Sequence, residues 1–370
     1  MRVSHTLREW QFTSQGLFFN SNVKKVDSME KIRTAILGAT GYTGIELVRL
    51  LSTHPKFFLH ALISRQHQGV QLGTLYSHLS GLSLPELSAF EDTDFSKIDL
   101  VFCALPHGIS QTLIPFLPEH VRIVDLSSDF RLESAFDFQK WYGTPPKTRD
   151  LQDIAVFGIS ELYKEKIRKT RLVACAGCYV TSALIPLVPL LVQDVIKKES
   201  IVIDSKSGAS GAGKKLKTSS LFCEVTNGTR AYNVCNHRHM AELDQELKKA
   251  AGEAVEYRFV PHIVPQSRGI LSTIYVTGEA ERILDAWNVS YADKPFIRIL
   301  PLNTIPQTHD VLGSNTIHMG VVKDRNPDKS IIVSTIDNLI KGASGQAIQN
   351  ANIMFDLDET TGLPLVAMFP

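Results

Sequence analysis

The sequence predicts an α/β chain: a doubly wound parallel sheet of Rossmann type, followed by an α+β domain with a mainly antiparallel sheet. Strands and helices alternate over the first half, a glycine-rich turn joins the first strand to the first helix, and from Leu184 onward strand-like runs follow one another with few helices between. Lys31–Leu37 (KIRTAIL) reads as a strand, Ile45–Ser52 (IELVRLLS) as a helix with apolar residues at helical spacing, and Phe57–Ile63 (FFLHALI) as a second strand. This is a βαβ unit, which places its strands side by side and parallel. Strands at Leu100–Ala104 and Val121–Leu126, with a helical Ile109–Leu117 between them, extend it. A short apolar strand at Leu172–Ala174 leads through ACAGCYVT into an apolar helix ending near Val192. Runs at Ile201–Asp204, Tyr257–Val260, Ile270–Val276 and Phe296–Leu300 then read as strands, and the tail adds a strand at Ile331–Ile336 and a helix-compatible Ala343–Phe355.

At 370 residues and 44% hydrophobic, the chain is long for one hydrophobic nucleus, so two domains are expected. Lys and Arg (39) nearly cancel Asp and Glu (38), so no global field draws the protein to nucleic acid or an anionic membrane, and a small molecule is the expected partner. No stretch approaches the roughly 20 apolar residues of a membrane span. Five cysteines, an odd number scattered over the chain, argue for a reducing cytoplasm. Cys175 and Cys178 form a C-x-x-C, but no second pair sits at zinc-site spacing, so no metal is expected. Residues 1–28 carry Arg2, Arg8, Lys24 and Lys25 with few acids; an extension ahead of Met29 is the preferred reading, with organellar targeting left open.

Gly38, Gly41 and Gly44 in GATGYTG, with Thr40, Tyr42 and Thr43 between them, lie where backbone amides at a helix N-terminus hold a pyrophosphate. An acid at the end of the second strand would favour NAD; Ser64 and Arg65 stand there instead and suit the 2′-phosphate of NADP. Cys178 follows a strand and opens a helix, where amides lower a thiol's pKa and make it a nucleophile. A buried small hydrophobe is the other reading of a cysteine in such apolar company. In Asn236–Glu242 (NHRHMAE), His239 and Glu242 are three apart on one helix face, so the carboxylate is placed to orient the imidazole. Spacing alone does not say whether His237 or His239 moves the proton.

Taken in series, Gly38–Gly44, Val124–Arg131 (VDLSSDFR), Gly177-Cys178-Tyr179, Ser207–Lys214 (SGASGAGK) and His237-Arg238-His239 with Glu242 resemble the N-acetyl-gamma-glutamyl-phosphate reductases, relatives of the aspartate-semialdehyde dehydrogenases. The resemblance implies that Cys178 is the nucleophile, that His237 and His239 supply acid–base catalysis with Glu242, and that Arg131, Tyr179 and Lys214 meet the substrate. It implies further cofactor contacts from Pro106, His107 and Gly108, from Ser207, Gly208, Ser210 and Gly211, and from Asn338. It also implies a nucleotide domain over 31–178 completed by 338–370, a catalytic and oligomerisation domain over 179–337, and a dimer or tetramer. One departure stands out: the family's usual Asn-Pro-Gly-Cys-Tyr-Pro-Thr is Cys175-Ala176-Gly177-Cys178-Tyr179-Val180-Thr181 here.

The expected reaction is reduction of an acyl phosphate to an aldehyde by NADPH through a thioester on Cys178. A sister reductase acting on aspartyl phosphate or a carrier-linked amino acid, and a non-catalytic NADP-binding protein, are the alternatives.

Overall fold

The computed structural model describes residues 31–368. Apolar and β-branched runs in the first half form parallel strands: β1 (Ile32–Leu37), β2 (Phe57–Ile63), β3 (Leu87–Ser88), β4 (Leu100–Cys103), β5 (Arg122–Asp125), β6 (Val156–Gly158) and β7 (Leu172–Cys175). They make one seven-stranded sheet in the order β3-β2-β1-β4-β5-β7-β6, every pair parallel. The winding reverses between β1 and β4, and open parallel sheets bind ligands in the crevice at such a reversal. The helix after β1 is α1 (Tyr42–Leu51), which starts ahead of the expected Ile45. The expected helix at Ile109–Leu117 is split by Pro115 into a short α-helix, Ser110–Leu113, and a 3-10 turn, Ile114–Phe116. Helix α2 (Ser160–Lys169), between β6 and β7, has no counterpart in the sequence reading.

The second sheet has the order β12-β13-β14-β11-β8-β10-β9, with β8 (Ile201–Ser207), β9 (Arg230–Ala231), β10 (Tyr257–Ile263), β11 (Ile270–Thr277), β12 (Ile297–Ile299), β13 (Ile317–Lys323) and β14 (Lys329–Ile336). It is mainly antiparallel as expected, but β8 with β10 and β12 with β13 run parallel. The β8-to-β10 crossover contains a helix, α4 (Met240–Ala251); α5 (Ala280–Tyr291) carries the chain from β11 to β12, and the link from β12 to β13 holds only a 3-10 turn, Thr308–Asp310. Strand β13 and helix α5 are absent from the sequence reading. The tail is a π-turn, Ile340–Ser344, followed by α6 (Gly345–Met354), rather than one helix from Ala343.

Helix α3 (Cys178–Val192) is buried on nearly every side and packs against the second sheet. Its two prolines each remove an amide from the helical ladder and orphan the carbonyl four residues earlier. Both orphans are met from outside. Ser334 Oγ donates to Ser182 O (2.6 Å), the carbonyl freed by Pro186, and Tyr291 Oη donates to Ile185 O (2.5 Å), the one freed by Pro189. Trp287 Nε1 adds a bond to Pro186 O (2.9 Å). Tyr291→Phe would therefore strand a buried carbonyl while keeping the ring, and should destabilise the protein by about 1–3 kcal/mol in urea unfolding; a change within ~0.5 kcal/mol would show that Ile185 O does not need this donor.

Candidate active site

A cavity of about 610 Å³ opens where β1 and β4 end and runs to the start of α3. At one end is the glycine turn. Gly38 has φ +85°, and a Cβ there would lie 2.3 Å from Ala104 O; a Cβ on Gly44 would lie 2.2 Å from Gly38 O. Only glycine fits either place, so the turn closes tightly and α1 begins at Tyr42 with no acid in its first turn. Gly38, Thr40, Gly41, Tyr42 and Thr43 face the cavity, whereas Gly44 is packed beneath the turn. Ser64 is buried behind it, 3.4 Å from Thr40 Oγ1, and Arg65 is exposed at the end of β2; neither is in the cavity wall.

Pro106 and His107 line the cavity after β4. Asp129 holds this loop: Gly108 N donates to its Oδ1 (2.7 Å), Gln111 N to its Oδ2 (3.2 Å), and His107 Nδ1 lies 2.7 Å from Oδ1. Gly108 itself stands outside the wall. From the second sheet, Ser210 and Gly211 face in, while Ser207 bonds to Gly208 O (3.0 Å) and Gly208 packs against the backbone of Ser267. Asn338 joins these parts, donating to Ser210 Oγ (2.9 Å) and accepting from Gly269 N (2.8 Å). Lys214 also lines the cavity, but its ammonium bonds to the Tyr76 hydroxyl, which donates to Thr40 O (2.8 Å). It thus sits at the glycine-turn end rather than beside Cys178.

Cys178 is the first residue of α3, as expected, with Gly177 as the cap. The thiol, however, is not lowered: burial pushes it up to about 11, only partly opposed by the Tyr179 amide and the Arg131 charge. Apolar surroundings outweigh the helix terminus in the free protein. Burial, then Arg238, holds His237 down to about 4, and burial, then His237, holds His239 well below the usual range. Both imidazoles are neutral at pH 7. His239 packs so closely that a Cβ on Gly177 would lie 2.4 Å from its Nε2, and its Nδ1 is buried without a partner. His237 Nδ1 accepts from His239 N (3.2 Å), and the two rings meet edge to face at 4.6 Å.

Glu242 does not orient His239, because its carboxylate is taken on both sides: Arg131 Nη1 donates to Oε1 (2.9 Å) and Gly177 N to Oε2 (2.9 Å). His239 precedes the first turn of α4, which leaves its ring facing Gly177. Arg131 also donates from Nη2 to Leu126 O (2.8 Å), and its Nε has no partner. The Tyr179 hydroxyl donates to His262 O (2.9 Å) and receives a bond from Tyr232 (3.2 Å).

Two family models divide the chain between them. One described as "Semialdehyde dehydrogenase, NAD binding domain" matches residues 33–170, and one described as "Semialdehyde dehydrogenase, dimerisation domain" matches residues 178–338. The probable N-acetyl-gamma-glutamyl-phosphate reductase, chloroplastic, of Arabidopsis thaliana is 46% identical over 92% of this chain and 86% of its own. The reductase of that name from Rhodospirillum rubrum is 47% identical over 92% of this chain and 99% of its own. The chain belongs to the N-acetyl-gamma-glutamyl-phosphate reductase family. Among solved structures, aspartate semialdehyde dehydrogenase II of Vibrio cholerae complexed with ASA has a TM-score of 0.67 at 18% identity, covering 88% of this chain and 99% of that one. Aspartate semialdehyde dehydrogenase with NADP from Candida albicans has a TM-score of 0.65 at 17% identity, over 88% and 99%. These reductases and dehydrogenases share one fold.

For this reductase-family chain, several cavity residues escaped sequence reasoning: Arg238, Lys215, Lys217 and Tyr232. Arg238 was visible between the two histidines, and the lysines in the run KKLK; Tyr232 carried no local signal. No helix among the described residues is long and apolar enough to cross a membrane.

The histidines make stability depend on pH. Both have folded-state pKa values below the unfolded 6.5, so the unfolded chain binds more protons and stability is lost as pH falls from above 6.5 toward 4. The urea midpoint should fall over this range, and His237→Asn should flatten the slope; an identical slope in the variant would contradict the burial account.

Proposed function

We propose that the chain reduces N-acetyl-gamma-glutamyl phosphate to N-acetylglutamate semialdehyde and phosphate with NADPH, by way of a thioester on Cys178. The observation that carries this reading is the single cavity bringing the glycine turn, Cys178 and His239 together, in a chain 46–47% identical to reductases of that name.

The residues fit a dinucleotide. The glycine turn in the cavity wall, the acid-free start of α1 and the polar wall at Ser210 and Asn338 suit a pyrophosphate and its sugars. Ser64 and Arg65 at the end of β2, without an acid, favour the 2′-phosphate form. Bound there, NADPH supplies the hydride. The protein's part begins with the proton on Cys178. His239 accepts it as sulfur attacks the acyl carbon, because its imidazole is neutral and lies against Gly177, whereas the Nδ1 of His237 is occupied. Expelled phosphate meets the free Nε of Arg131 and the cationic wall formed by Arg238 with Lys215 and Lys217. On hydride delivery to the thioester, the imidazolium of His239 returns its proton to the oxygen of the thiohemiacetal on Cys178. On collapse the neutral imidazole takes that proton back as the aldehyde leaves and hands it to the sulfur, restoring the thiol.

We further infer that residues 31–178 with 338–370 act as the nucleotide domain and 179–337 as the catalytic domain. The second sheet is the natural oligomer surface, in keeping with the dimerisation-domain match, and supports a dimer or tetramer. A cytoplasmic setting is inferred from the cysteines. The organellar-targeting question concerns residues 1–28, outside the described residues, and the Arabidopsis relative is named chloroplastic.

With phosphate and NADP, N-acetylglutamate semialdehyde should support NADPH formation at least about 100-fold faster than aspartate semialdehyde, and Cys178→Ser should lower the rate about 1,000-fold or more. His239→Asn should fall nearly as far, and His237→Asn less. Preference for aspartate semialdehyde would overturn the substrate, and an active Cys178→Ser the mechanism.

A further inference from the structure

One irregular segment reaches both the glycine turn and Cys178. In the π-turn Ile340–Ser344, Ser344 N donates to Leu339 O (2.9 Å), five residues back in place of the usual four. Such turns are uncommon and recur at functional sites. Here the middle residue lies against the nucleophile: a Cβ on Gly342 would sit 2.8 Å from Cys178 Cβ. Ser344 Oγ donates to Thr43 O in the glycine turn (2.9 Å), and Asn338, just upstream, binds Ser210. The turn is therefore the piece of backbone that spans the cofactor end and the nucleophile end.

The same turn carries a buried charge that the reaction does not use. Lys341 is 0% exposed and absent from the cavity wall. Its Nζ donates to Glu161 Oε1 (2.5 Å) and Gln349 Oε1 (2.8 Å), and lies 5.3 Å from the centre of the Phe296 ring. Glu161, in α2, also accepts from Gln349 Nε2 (2.9 Å). A buried ion pair adds little stability over an apolar pair of the same volume, since desolvation offsets the attraction. What it supplies is direction, because short charge-assisted bonds to fixed oxygens tolerate little displacement.

We propose that Lys341 is a positioning residue for the reaction: with Glu161 it fixes the π-turn, and through Gly342 and Ser344 it sets the placement of the Cys178 sulfur relative to the glycine turn. The proposal rests on Cys178 being the nucleophile.

The test is the double variant Glu161→Gln/Lys341→Met, which removes both charges at similar volume, beside Glu161→Asp, which keeps both but draws the carboxylate back by one methylene. Thermal midpoint, NADPH affinity, kcat and KM, and the rate of Cys178 alkylation by iodoacetamide are compared with the wild type. The folded variants should bind NADPH within about twofold, while kcat falls about 10-fold or more and the alkylation rate shifts by about fivefold, since small misplacements at a reacting centre cost rate rather than binding. If the double variant does not fold, Glu161→Asp decides. A folded variant with kcat and alkylation both within about twofold of wild type overturns the proposal. If Cys178→Ser keeps kcat within about twofold of wild type, the nucleophile reading itself fails, whatever the variants do.

Discussion

The nucleophile turn depends on one buried pair, Arg131 with Glu242. The arginine follows β5 in the first sheet and the glutamate lies in α4 beside the second, so the pair ties together the two halves that must meet at the cavity. Glu242 is 0% exposed, and its second oxygen receives the Gly177 amide. Removing one member of such a pair typically costs about 3–5 kcal/mol, because the survivor is left charged in a dry interior. With the Gly177 amide held, the amide of Tyr179, two residues on, faces the sulfur of Cys178. The pair thus shapes a site while it joins the fold.

Burial then decides the resting protonation. The same apolar packing that makes α3 rigid pushes the Cys178 thiol up and both imidazoles down, so the free site holds no thiolate–imidazolium pair. Glu242 already compensates Arg131, which lowers the thiol only weakly. In the proposed mechanism, proton transfer from sulfur to His239 would therefore be coupled to the arrival of the acyl phosphate. Its negative charge would favour an imidazolium and would find Arg238, Lys215 and Lys217 in the wall. A thiol that ionises only with substrate present is also guarded against idle oxidation.

Local signals were legible in the sequence and distant ones were not. β2 was read with its observed bounds because an apolar run ends where the chain turns polar, and the glycine turn and Cys178 were read because each sits at a strand–helix junction. Strand β13 escaped because Gly320 interrupts it; that glycine is there for close approach, since a Cβ would lie 2.1 Å from Thr304 O. The crossover helix α5 was hidden by its β-branched and aromatic residues, although Ile283, Ala286, Trp287 and Tyr291 form one buried face. Glu242 shows the limit most plainly. Helical spacing offered His239 as its partner, yet the partner is Arg131, 111 positions away, which no periodicity can indicate.

The most direct test of this account is hydrogen exchange at the Gly177 amide, followed by mass spectrometry of peptides spanning 172–182, in the wild type and in Glu242→Ala. Loss of the carboxylate should speed exchange there by about tenfold or more while peptides from β11 keep their protection, as local opening without global unfolding requires. Equal protection of Gly177 in the folded variant would show that the Arg131–Glu242 pair does not hold the nucleophile turn.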